Sequence, residues 1–250
     1  MKKLLLAGAF SLLLAPSVNS ATIFQQSLSG AGLISDSNVS VFESSSLTGN
    51  WLDFTGRSTA RGALLRWNIL GASSYNNLTV TVQLDHDALN GPDNDLFIGL
   101  SDGVNMIAPT RIDAFGGAIN IFDGTVGGSA ANPTIALDGT GVSTLLTSLG
   151  GVDPITFTAL LPSDGSNTTL QSVQEGTATA SNVSFDRTLV PNNGLQLYLF
   201  GDHLGEQYGI NYLSVTVEEE DIVAVPAPGA LLLLGLGMAG IGFARHKRIV

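Results

Sequence analysis

The chain has 250 residues, with 10 Lys+Arg against 21 Asp+Glu, a formal net charge of −11, no Cys and a mean hydropathy of +0.30. A surface this acidic cannot neutralise phosphates, which excludes a nucleic-acid binder. Without Cys there is no disulfide, no Cys-based zinc site, no iron–sulfur cluster and no thiol nucleophile.

Residues 1–20 read as a secretory signal peptide. Lys2 and Lys3 form a positive n-region, Leu4 to Ala15 an apolar h-region, and Pro16 and Ser17 end it. Val18-Asn19-Ser20 offers small residues at −3 and −1, so cleavage is expected before Ala21. The apolar run is shorter than the ~20 residues that an uncleaved span needs.

Between the ends, period-two alternation of apolar residues recurs. Strands are expected over Thr22–Leu28, Asn38–Glu43, Ala63–Leu70, Asn77–Leu84, Asp95–Leu100, Asn105–Ala108, Ala118–Phe122, Ile155–Leu161, Ala178–Phe185, Leu195–Phe200 and Ile210–Glu218. Asn77–Leu84 is the clearest, with Leu78, Val80, Val82 and Leu84 on one side and Thr79, Thr81 and Gln83 on the other. Asp102-Gly103, Asp123-Gly124, Asp138-Gly139 and Asp164-Gly165 read as turns. The one helix candidate is Val142–Leu149. Many short strands joined by Gly/Asp turns predict an all-β domain over 21–221, a single β-sandwich of jelly-roll or lectin-like kind. A β-solenoid is the alternative, but no fixed-period repeat supports it.

This stretch keeps five Arg (57, 61, 66, 111 and 187), no Lys and all 21 acids, a net charge of −16. Such a surface repels anions and suits divalent cations. Its densest polar run is Asp85-His86-Asp87, then Asn90-Gly91-Pro92-Asp93-Asn94-Asp95, then Asp102. Calcium takes six to eight oxygens, and closely spaced Asp supply them, so Asp85, Asp87, Asp93 and Asp95 are candidate ligands. A plain Asp-rich turn is the competing reading.

Nothing points to nucleophilic catalysis. There is no G-x-S-x-G motif, and His86 and His203 are the only histidines in this stretch. Glu43, Glu175 and Glu206 are the carboxylates considered for glycoside hydrolysis, and all three stand in polar surroundings. The aromatic candidates for a sugar platform are Trp51, Trp67, Tyr75, Tyr198, Tyr208 and Tyr212. Trp67 lies in an apolar strand and is expected in the core. Trp51 follows Gly49-Asn50 in an expected loop and is the candidate platform. Thr-x-Thr recurs at Thr79–Thr81, Thr156–Thr158 and Thr177–Thr179 with no common period that would build a flat ladder.

The C-terminal end, 222–250, has three parts. Val225-Pro226-Ala227-Pro228-Gly229 is a stiff proline-rich element, a helix is expected over 229–244, and Arg245-His246-Lys247-Arg248 is a basic cluster. Counted from Val225 the apolar stretch is 20 residues, long enough for one membrane span. Arg245, Lys247 and Arg248 should stop it on the cytoplasmic side.

A Pro-x-Pro element, a Leu/Gly-rich helix and a basic tail resemble the PEP-CTERM sorting signal, with Ala227 where the signal usually has Glu. The resemblance covers about 26 residues and is silent on the domain before them. It implies recognition by a membrane protease of the exosortase type in a Gram-negative bacterium that makes exopolysaccharide. Together these readings predict a non-enzymatic exported protein, held transiently at the inner membrane and then sorted to the cell surface or matrix. Its role there would be structural, adhesive or glycan-binding. A secreted polysaccharide-active hydrolase on the same fold is the alternative.

Overall fold

A computed structural model describes residues 19–42, 46–48, 51–53, 63–86, 96–112, 118–138, 154–175, 178–185, 187–200 and 207–221. They form fifteen strands: β1 (Asn19–Ser29), β2 (Val39–Val41), β3 (Ser46–Thr48), β4 (Trp51–Asp53), β5 (Ala63–Leu70), β6 (Leu78–His86), β7 (Leu96–Ser101), β8 (Asn105–Ile112), β9 (Ala118–Ser129), β10 (Asn132–Asp138), β11 (Ile155–Leu161), β12 (Thr169–Glu175), β13 (Ala178–Ser184), β14 (Leu195–Phe200) and β15 (Gln207–Asp221). One short helix, Gly30–Ser35, is capped by Ser29, whose hydroxyl accepts from the Gly32 N–H. Ser20–Glu220 forms one compact unit.

The strands make two antiparallel sheets. One runs β13-β12-β11-β6-β15-β4-β3, with β1 also paired to β15, and the other runs β10-β9-β8-β7-β14-β5-β2. Their inward side chains, among them Leu65, Trp67, Val82, Phe157, Leu197 and Val215, join in one hydrophobic cluster. The chain is therefore an all-β sandwich, as its alternation predicts. Phe24 of β1 meets Trp67 of β5 edge-on, with ring centroids 6.0 Å apart, and links the two sheets.

The first sheet follows the half-buried pattern closely. Along β6 and β11, every second residue is buried and the others are half-exposed. A register shift between Ile210 and Tyr212 in β15 keeps both Ile210 and Leu213 in the core. The outward residues form rows set by register. Thr216, Thr81, Thr158, Ser172 and Ser181 stand opposite one another across five strands, and the Thr81 and Thr158 hydroxyls are 3.2 Å apart. A ladder thus exists without a sequence period, because antiparallel pairing aligns residues that no fixed spacing relates.

The second sheet departs from alternation. Phe97 to Asp102 and Leu197 to Phe200 are all buried, so β7 and β14 are covered on both faces. On the face away from the first sheet, Phe97 stacks on Phe200 at 4.8 Å and meets Phe122 at 6.2 Å. The sheet also curls far enough for β10, at its end, to touch β5.

Four strands have no counterpart among those expected from sequence: β3, β4, β10 and β12. Trp51 opens β4 and pairs with Thr48 and Gly209, which corrects its placement in a loop. The strand β1 begins at Asn19, so the expected cleavage before Ala21 falls inside it. The helix expected over Val142–Leu149 lies outside the described residues.

Candidate functional site

The curl of the second sheet makes a cleft. Its floor is Arg66 of β5 with Gln196 and Tyr198 of β14, and its walls include Gly103, Gly128 and Pro133, with a volume of about 230 Å³. Each part has a local cause. Arg66 and Tyr198 are directly opposed in the β5–β14 ladder and point away from the sandwich core, because their neighbours Leu65, Trp67, Leu197 and Leu199 point into it. Gly128 has φ +77°, a backbone conformation that suits glycine, and turns the β9–β10 hairpin back on itself. Ser129 then accepts from the Asn132 N–H to close the hairpin.

The wall at Gly103 is built by Asp102. Its Oδ1 accepts from the N–H groups of Val104 and Asn105, at 2.9 and 2.7 Å, and its Oδ2 accepts from the Val190 N–H at 2.9 Å. This carboxylate is 4% exposed and ties the β7–β8 turn to the segment before β14. It is a structural group, and its three backbone donors explain its burial without a metal.

The floor is polar and cationic. The Tyr198 hydroxyl donates to Gln196 Oε1 at 2.7 Å. The Arg66 guanidinium lies 5.3 Å from the Phe42 ring centroid and also reaches the Tyr198 hydroxyl. Burial pushes the Tyr198 phenol above its ordinary value, while the charge and hydrogen bond of Arg66 pull it back. Among the described residues no carboxylate pairs with Arg66, and its buried Nε has no hydrogen-bond partner. An unmet buried donor costs about 1–3 kcal/mol.

Most of the described residues singled out in the sequence lie away from the cleft. Asp85 lies near the end of β6 opposite Tyr212, with its side chain half-exposed, while Asp87, Asp93 and Asp95 lie outside the described residues. Among the described residues no cluster of three His, Asp or Glu could hold a metal ion. Glu175 sits in β12 opposite Ile155 and Ala178, and Glu43 and Glu206 lie outside the described residues. Trp67 is fully buried. Tyr75 is half-buried and donates from its hydroxyl to the Gly71 carbonyl. Among the aromatic candidates whose side chains are described, Tyr198 lines the cleft. Arg66 is not among the candidates; an arginine set between Leu65 and Trp67 is the signal that marks it.

The sorting residues Val225, Pro226, Ala227 and Pro228 and the basic Arg245, Lys247 and Arg248 lie outside the described residues. Among those described, no helix is long and apolar enough to cross a membrane.

The family model of the PEP-CTERM protein-sorting motif matches residues 224–248. The match bears out the reading of this tail as a sorting signal, and a chain that carries it is exported. No curated protein matches the chain. Among solved structures, the chain is similar to the CBM2 module of an evolved Dit from Lactobacillus casei BL23 phage J-1. The identity is 12%, covering 83% of this chain and 99% of that one, with a TM-score of 0.43. It is also similar to peanut lectin, at 9% identity over 82% of this chain and 100% of that one, with a TM-score of 0.42. A third likeness is to the exoplasmic/lumenal domain of VIP36, at 10% identity over 82% of this chain and 91% of that one, with a TM-score of 0.44.

Proposed function

We propose that this chain is a non-enzymatic β-sandwich protein of the cell surface or exopolysaccharide matrix, with a structural, adhesive or glycan-binding role. In this reading residues 1–20 are a leader, 21–221 the exported domain and 222–250 the signal on which an exosortase-type protease acts. The single observation that carries it is the sorting motif at 224–248, downstream of a folded, Cys-free, acidic β domain. A span over 229–244 would hold the chain at the inner membrane until that protease releases it.

Four of the described carboxylates have structural partners that support a non-enzymatic role. Asp36 accepts from Asn38 and Gln26, Asp102 from three backbone donors, Glu219 from Asn76 and Glu220 from Asn77. Acids held this way serve turns and strand ends. Calcium bound by Asp85, Asp87, Asp93 and Asp95 belongs to the same proposal. Calorimetric titration of the full chain with calcium should give heat that Asp85→Asn removes.

Fractionation of cells that make the full chain tests the main reading. The expected result is a surface or matrix fraction whose mass lacks both the leader and the residues after the Pro226–Pro228 element. An intact chain in the cytosol overturns it.

A further inference from the structure

The cleft invites a more specific assignment. Arg66 is one of only five cations in a stretch of net charge −16, yet no described carboxylate pairs with it. An arginine on the floor of a cleft, with no carboxylate beside it among the described residues, is a positive site where the overall field of the domain is negative. The donors converge there. Arg66 lines the cleft with its guanidinium donors, and Gln196 has its Oε1 engaged by Tyr198, which leaves its amide N–H groups to donate. Donors gathered in one cleft suit an oxygen-rich anion, and a guanidinium fork matches a carboxylate.

Size and charge narrow the class. A cleft of about 230 Å³ is below the usual range for drug-sized ligands and is the scale of one sugar ring. The net charge of −16 opposes a doubly charged phosphate more than a singly charged carboxylate.

We propose that the cleft over Arg66, Gln196 and Tyr198 binds a uronic acid unit, with the sugar carboxylate on Arg66 and ring hydroxyls toward Gln196 and the β9–β10 hairpin. This rests on the reading that the protein works among matrix polysaccharide and names the sugar class it meets there.

The test is calorimetric titration of the full chain in detergent micelles with glucuronate, glucose, acetate and inorganic phosphate. Glucuronate should bind saturably, and glucose and acetate at least about tenfold more weakly. Arg66→Gln should weaken glucuronate about 10- to 100-fold, the scale of one charge-assisted hydrogen bond. Gln196→Glu, at a half-exposed position, puts a negative charge in the cleft and should weaken glucuronate similarly, so the test does not depend on Arg66→Gln folding. An unchanged unfolding midpoint shows that a variant is folded. Equal binding of glucose, equal binding of acetate, tighter binding of phosphate, or folded variants that bind glucuronate normally each overturn the proposal. Fractionation separates the two readings. A chain found in the matrix that ignores glucuronate loses only the cleft assignment, whereas a chain never found there loses the functional reading whatever the titration gives.

Discussion

Arg66 and Tyr198 face each other across the β5–β14 ladder, and the guanidinium acts on the titration of the phenol. Tyr198 is 1% exposed, and burial disfavours its phenolate. Arg66 stabilises that phenolate and partly offsets the burial. The balance leaves the Tyr198 phenol above the ordinary 10.0. A raised acid holds its proton in the folded state after the unfolded chain has lost it. Its contribution to stability is therefore complete below pH 10.0 and is lost as pH rises above that value. Tyrosinate absorbance during alkaline titration should show a late phase that Tyr198→Phe removes. Arg66→Gln should delay it further, since the opposing charge is gone.

Trp67 is the largest fully buried side chain and the contact of β5 with Phe24. Trp67→Ala leaves a cavity at the junction of both sheets and should cost about 3–5 kcal/mol. The indole Nε1 has no hydrogen-bond partner, so Trp67→Phe removes an unmet donor along with some volume and should cost markedly less. Denaturant unfolding of the two variants, with an unchanged m value, separates these outcomes.

Asp102 joins one turn to a distant segment with three charge-assisted bonds. Asp102→Ala strands three backbone N–H groups and should cost about 2–4 kcal/mol. In Asp102→Asn one oxygen can still serve Val104 and Asn105, but the amide nitrogen then faces the Val190 N–H, donor to donor. That variant should fall between wild type and alanine. Hydrogen exchange at Val190 should rise in both variants.

The sandwich was legible where burial is one-sided. The alternation of β6 and β11 states which face meets the core, because the side-chain period of a strand is two. The runs LFIGLS of β7 and LQLYLF of β14 carry a different signal. Nearly continuous apolar residues mark a strand covered on both faces, which here reflects the curl of the second sheet. β3 and β4 are only three residues each, and β12 shows just Leu170 and Val173 to the core, so neither pattern develops. The cleft was illegible for another reason. Arg66 and Tyr198 meet through strand register, and no local pattern encodes a pairing between residues so far apart in the chain.

The hairpin that walls the cleft gives the most direct mechanical test. A Cβ on Gly124 would strike the carbonyl oxygen of Ala136, a backbone atom of the paired strand that has no side-chain freedom to yield. Gly124→Ala must therefore push β10 away from β9 and should cost about 1–3 kcal/mol. A Cβ on Gly127, three residues on, meets only the Thr134 hydroxyl at 3.4 Å, an ordinary contact, and its φ is not in the left-handed region. Gly127→Ala should be neutral or stabilising by up to about 0.5 kcal/mol, since it restricts the unfolded chain. Because β10 curls back to β5, the first variant should also widen the cleft and weaken whatever binds over Arg66. Thermal unfolding of both variants and ligand titration of the first check this. Equal stability of the two would show that the hairpin does not pack as tightly as its geometry requires, and unchanged binding by the first that it does not shape the cleft.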